Sequence, residues 1–296
     1  MAERLLAFGI SSELVTYRTI GDKNLSDPLS GIGAKGLFTK ELEDDLARGR
    51  VECCVHSLKD LPTVMPDGLE LGAILEREDP RDVVIVNHLV GADTIATLPR
   101  GSRVGTSSLR RRAQLLAVRM DLEVVELRGN VPTRVKKVDE GQVHAAILAA
   151  AGLHRLNIVQ SITAYLDAPA WLPAAGQGAI AVQIRSDDPA TRRVVSEMND
   201  PETDIQIRAE RAFLAALDGG CQVPIGALAM TKGAPTLHGF ISDIDGRHDL
   251  RGSVHLDRSN PDRSGAILAT QLRERGATEI LAELRRVDRA PSPQPE

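Results

Sequence analysis

Aromatic residues are scarce in this chain of 296 residues: one Trp, two Tyr and four Phe, 2% of the total. A protein that holds nucleic acid by stacking bases on side chains needs more than that, which excludes base stacking as the main business. The cores must instead be built from Ala, Val, Leu and Ile. Long apolar runs are also missing. Stretches such as AAILAAAGL fall far short of the roughly 20 residues a membrane span needs. MAERLLAFGISS, with Glu3 and Arg4, does not read as an export signal. The three cysteines show no CxxC or His–Cys spacing, so no structural metal site is expected. These absences predict a cytoplasmic protein with reduced thiols and with no membrane or nucleic-acid partner.

What is present is an uneven charge. The chain carries 36 Lys or Arg and 41 Asp or Glu, a net −5. Between Arg100 and Arg155, however, eleven basic residues face five acids, a local excess of six. A basic island in an acidic protein points to a small anionic ligand held locally.

The length suggests two or three domains. Leu14–Thr19 reads as a strand, Gly31–Gly36 as a Gly-rich loop and Leu37–Arg48 as an amphipathic helix with Phe38, Leu42 and Leu46 at helical spacing. Short strands and helices then alternate as far as AAILAA, predicting α/β sheets with mostly parallel strands. In LRRRAQLLAVR, residues Leu109, Ala113, Leu116 and Ala117 would form the buried helix face. Helices are expected over Pro189–Asn199, Asp204–Leu217, Arg263–Arg275 and Thr278–Arg285. The texture changes after GGCQVP to a smaller α+β unit, and the Pro-rich APSPQPE closes the chain as a disordered tail.

Several positions could carry chemistry. VHSLKDLPT sets Lys59 beside Asp60 where a strand gives out, the end at which α/β proteins keep their chemistry. In GTSSLRRR a strand hands over to a helix, so Thr106, Ser107 and Ser108 and the free backbone N–H groups favour a carboxylate or phosphate. Arg110 and Arg111 add bidentate donors, although three successive arginines cannot share one helix face. Arg128, Arg134 and Arg155 recur at the same edge of the expected sheet. Cys221 lies in a loop beside Gly219 and Gly220, sterically approachable where a core thiol would not need to be. His56 reads as a hydrogen-bonded structural histidine, and Cys53 and Cys54 as core residues facing opposite sides of a strand.

Together these stretches resemble the porphobilinogen deaminase (hydroxymethylbilane synthase) family. The matching segments are GIGAKGLFTKELE, VHSLKDLPT, EREDPRD, GTSSLRRRAQL, LRGNVPTR, ILAAAGLHRL, LPAAGQGA and GGCQVPIGA, in the family's order from Gly31 to Ala227. The resemblance implies an α/β protein of three domains. Residues 1–76 and 174–198 would form a discontinuous first lobe, and 80–172 a second, both like type II periplasmic binding proteins around a cleft. Residues 200–288 would form a small α+β third domain and 289–296 the tail.

The implied reaction joins four porphobilinogen molecules head to tail, each losing ammonia, into a linear tetrapyrrole. A dipyrromethane cofactor would be held through a thioether to Cys221. Asp60 would be the catalytic acid, its carboxylate steadying the azafulvenium cation left when ammonia departs. Lys59, Ser57, Thr106, Ser107, Ser108, Arg110 and Arg111 would bind the cofactor's acidic arms. Arg128, Arg134 and Arg155 would bind substrate and the lengthening chain, in a monomer.

Two departures stand out. The family opens with a strand reading like G-T-R-x-S-x-L-A, which this chain is expected to lack, together with a cleft-facing arginine. A misassigned start codon is the expected reason; were the chain as given the real product, an unstable first domain and weak or no activity would follow. His144 stands where an acidic or polar residue is expected, and no function is attached to it. The rival reading is a truncated, non-catalytic cleft-type binder of a small polycarboxylate.

Overall fold

The computed structural model describes residues 1–17, 19, 39–218 and 223–289. The Gly31–Gly36 loop, Cys221 and all but the first residue of the expected tail lie outside them. Three sheets organise the described residues. The first has three strands in the order β1-β8-β2, where β1 is Cys53–Ser57, β2 Leu69–Ile74 and β8 Ile180–Arg185. The second has five strands in the order β5-β4-β6-β3-β7. Here β3 is Asp82–Val86, β4 Arg103–Gly105, β5 Glu123–Val125, β6 Ala145–Ala149 and β7 Ala164–Leu166. The third is an antiparallel meander of β9 (Ile225–Met230), β10 (Thr236–Ser242) and β11 (Asp249–His255). The fold class is α/β, with the α+β texture confined to the C-terminal part.

The expectation of mostly parallel strands is corrected. Only β4–β5 and β4–β6 run parallel; β8 is antiparallel to both its neighbours, and β3 to both of its own. The reason is topological. Residues 75–81 cross from the first sheet to the second and 167–179 cross back, so the strands joined to the crossings enter their sheets against the local direction. The two crossings bind each other: the Glu78 amide donates to the Gly178 carbonyl at 3.1 Å. Gly178 has φ +87°, and a Cβ there would sit 2.3 Å from the Glu78 carbonyl oxygen, so only glycine allows this approach.

Nine helices pack around the sheets among the described residues: α1 (Ala2–Ala7), α2 (Lys40–Ala47), α3 (Leu109–Val118), α4 (Val131–Asp139), α5 (Ala150–Arg155), α6 (Pro189–Ser196), α7 (Pro201–Ala216), α8 (Pro261–Leu272) and α9 (Thr278–Arg289). Helix α7 starts earlier than its apolar spacing suggests because the Asp200 carboxylate accepts from the Thr203 amide at 2.8 Å and Pro201 fits the first turn. Helices α8 and α9 are separated at Gly276, whose φ is +110°. The expected strand at Leu14–Thr19 does not form over residues 14–17. No strand among the described residues pairs with it, and Leu14 stays 83% exposed. No helix among the described residues is long and apolar enough to cross a membrane.

Two of the four phenylalanines, Phe213 and Phe240, are fully buried around the third sheet. That sheet is tied to the crossings through Glu210 of α7, which is wholly buried. Its carboxylate pairs with Arg77 at 2.6 Å and accepts from the amides of Gly176 (2.7 Å) and Ala229 (2.9 Å). Such a pair is satisfied at every oxygen, the condition under which burying charge is tolerable.

Candidate active site

Strand β1 ends at Ser57, and Leu58–Asp60 make one turn of 3-10 helix. The turn is fixed by its apolar ends. Leu58 is 1% and Leu61 3% exposed, and the Leu58 amide donates to the Ala179 carbonyl at 3.1 Å. With both leucines turned inward, Lys59 and Asp60 are left on the outer side. Gly176 packs against this turn: its φ is +76°, and a Cβ would meet Leu58 Cδ2 at 2.1 Å.

Asp60 is open to water but crowded by protein. That crowding pushes its carboxyl above the usual range, with Lys59, His56 and Arg134 pulling the other way. Burial likewise lowers Lys59; Asp60 opposes that shift, while Arg111 adds to it and Asp82 and Arg110 also act on it. Arg134, in the first turn of α4, is pushed down to about 10 by burial and then by Arg111 and Arg128, with Asp60 opposing. Groups from both the first and second sheets thus share one electrostatic neighbourhood. His56 is buried; its Nε2 lies 3.0 Å from Gln183 Oε1, and burial lowers its pKa.

The second cluster of site residues lies at the β4–α3 junction. Ser108 is the N-cap of α3, its hydroxyl accepting from the Arg111 amide. Thr106 Oγ1 accepts from the Ser108 amide at 3.1 Å, and Ser107 Oγ donates to the Leu127 carbonyl at 2.9 Å. The buried face of α3 matches the expected one at Ala113, with Leu109 half-buried, and departs from it elsewhere. Arg110 and Arg111 are buried with Ala113, Gln114 and Leu115, while Leu116 is half-buried and Ala117 exposed. The reason is Asp82, the first residue of β3, whose fully buried carboxylate pairs with Arg110 and Arg111, each at 2.7 Å. Arg112 turns away to Asp245 at 2.9 Å.

The remaining arginines divide. Arg134 Nε donates to the Gly129 carbonyl at 2.7 Å, and Arg128 Nε to Glu126 at 2.6 Å. Arg155, at the end of α5, lies at the crossings, where its Nη2 donates to the Gly178 carbonyl at 2.7 Å. His144 accepts at Nδ1 from the Arg103 amide at 2.8 Å. Asp82 and its partner Gln177 were not singled out from the sequence. The available signal was an acid opening an otherwise apolar strand, DVVIV.

The family described as "Porphobilinogen deaminase, dipyromethane cofactor binding domain" matches residues 1–193, and "Porphobilinogen deaminase, C-terminal domain" matches residues 205–274. The porphobilinogen deaminase of Moorella thermoacetica is 50% identical over 278 residues, covering 94% of this chain and 88% of the relative. That of Syntrophobacter fumaroxidans is 47% identical over 279 residues, covering 94% and 89%. The Geobacter sulfurreducens protein is 48% identical over 277 residues, covering 93% and 86%. Among solved structures, the Bordetella pertussis BvgS periplasmic VFT2 domain is a remote likeness, with 15% identity and a TM-score of 0.38 over 66% of this chain and 72% of that one. The chain belongs to the porphobilinogen deaminase family.

Proposed function

We infer that this chain condenses four porphobilinogen molecules head to tail into hydroxymethylbilane, releasing ammonia at each addition, in tetrapyrrole biosynthesis. The observation that carries the reading is Asp60 and Lys59 lying within electrostatic reach of Arg134, Arg110 and Arg111. Four cations against Asp60 and Asp82 leave a net attraction for a ligand rich in carboxylates. Nothing found favours the non-catalytic binder.

The donor set suits a dipyrromethane, whose rings carry acetate and propionate arms. Lys59, Ser57, Thr106, Ser107, Ser108, Arg110 and Arg111 would hold it, with Cys221 as its thioether anchor. A bound dipyrromethane supplies the nucleophilic pyrrole carbon on which the chain is extended. Arg128, Arg134 and Arg155 would grip the acidic arms of porphobilinogen and of the growing chain. Asp60 would, in its ionised form, stabilise the positive charge that develops on the pyrrole as ammonia leaves.

The three sheets support a division into residues 1–76 with 174–198, then 80–172, then 200–288. We read the enzyme as a cytoplasmic monomer, which sedimentation at working concentration tests for oligomeric state. The functional reading is tested by intact mass. The wild-type protein should be heavier than its sequence by one dipyrromethane, and Cys221→Ser should carry none. A Cys221→Ser protein with the adduct still attached overturns the anchor.

A further inference from the structure

Asp82 receives five hydrogen bonds on one carboxylate that is 0% exposed. Its Oδ2 accepts from Arg110 Nη1 (2.7 Å) and Trp171 Nε1 (2.9 Å). Its Oδ1 accepts from Arg111 Nε (3.1 Å), Arg111 Nη2 (2.7 Å) and Gln177 Nε2 (2.8 Å). Trp171 and Gln177 lie on the returning crossing, so the carboxylate joins the arginine pair to the segment that links the first two sheets.

The two arginines are engaged differently. A guanidinium offers five N–H donors, and its Nε–Nη2 edge can grip a carboxylate side-on through two parallel bonds. Asp82 covers that edge of Arg111 with a single oxygen, Oδ1 accepting from both Nε and Nη2, and Arg111 Nη1 donates to the Ile147 carbonyl at 3.0 Å. Arg110 is held through Nη1 alone, by Asp82 and by the Leu172 carbonyl, each at 2.7 Å. Its Nε and Nη2 make no hydrogen bond among the described residues. Nor is either atom sealed from water, as the orphaned Nε of Arg112 is.

We propose that Asp82 is a positioning residue that converts the Arg110–Arg111 pair into a clamp for a single carboxylate, with one side-on edge free and one net positive charge. This rests on the reading that the pair faces the acidic arms of the cofactor. The cofactor's arms must shift past the pair as each unit is added to it, and two unbalanced guanidiniums in a crowded site would grip them more tightly than that shift can tolerate. By cancelling one charge and covering one edge, Asp82 leaves a grip that can be released and remade at each addition.

The test uses full-length, cofactor-loaded protein given porphobilinogen, with intact mass reporting how far the covalent chain has grown and steady-state rates reporting kcat and KM. Asp82→Asn should accumulate partly extended chains, with KM at least threefold lower and kcat at least tenfold lower. Asp82→Glu, which keeps the charge, should return KM to within about threefold of wild type. Arg111→Met should move the other way, with KM at least threefold higher and no accumulation. An Asp82→Asn enzyme with an unchanged or raised KM and no trapped chains overturns the proposal. If that variant does not fold, Arg111→Met decides, and an unchanged KM there overturns it. Failure of the underlying reading looks different: Arg110→Leu would then load its cofactor and extend chains like the wild type.

Discussion

Two carboxylates near the cleft have opposite fates. Asp60 ends the turn after β1, and Asp82 opens β3. Crowding by protein raises the pKa of both, but at Asp60, which is open to water, the nearby cations act at a distance and the net shift is upward. Asp82 is wholly buried, yet that cost is overcome by Arg110 and Arg111 in direct contact, and the carboxyl is held far below the usual range. A crowded acid becomes structural when its counter-charges touch it. It stays available for chemistry when they stand back.

Stability should separate the two first. Asp82→Ala leaves two buried guanidiniums uncompensated and should lose about 3–5 kcal/mol in urea unfolding. A loss no larger than that of a surface substitution would erase the distinction. The pH dependence sharpens it further. Because the folded pKa of Asp82 is depressed, its stabilisation is complete above the unfolded value of about 3.9 and is lost as pH falls toward the folded value. Asp60 runs oppositely. Its raised pKa makes the ionised form a liability at neutral pH, relieved on acidification.

Activity should then follow Asp60 rather than Asp82. The acid limb of the kcat/KM profile should lie above the ordinary carboxylate range of about 4, since Asp60 must be ionised to act. A profile flat down to that range would contradict the assignment. The smallest expected effect is at Ser107, whose hydroxyl satisfies the Leu127 carbonyl. Ser107→Ala should cost about 1 kcal/mol of stability. If Ser107 also holds the cofactor as proposed, the variant should lose cofactor loading on intact mass as well.

Much of this arrangement was legible in the sequence. The Lys59–Asp60 pair, the Thr106–Ser108 junction and the basic island all declare themselves within short windows, because caps and strand ends are local features. Asp82 does not. Its partners lie 28 to 95 residues away, and in EREDPRD it reads as loop punctuation. Without Asp82 the burial of Arg110 and Arg111 is invisible, so apolar spacing assigned the inner face of α3 to Leu116 and Ala117. The antiparallel strands escaped for a related reason. Local periodicity marks a strand, but its direction is set by crossings such as 75–81 and 167–179.

The most direct test is single-turnover ammonia release by cofactor-loaded Asp60→Asn. The carboxylate assigned to the developing cation predicts a rate about 10²–10³-fold below wild type with the covalent adduct intact. Release at the wild-type rate from a fully loaded variant would contradict it.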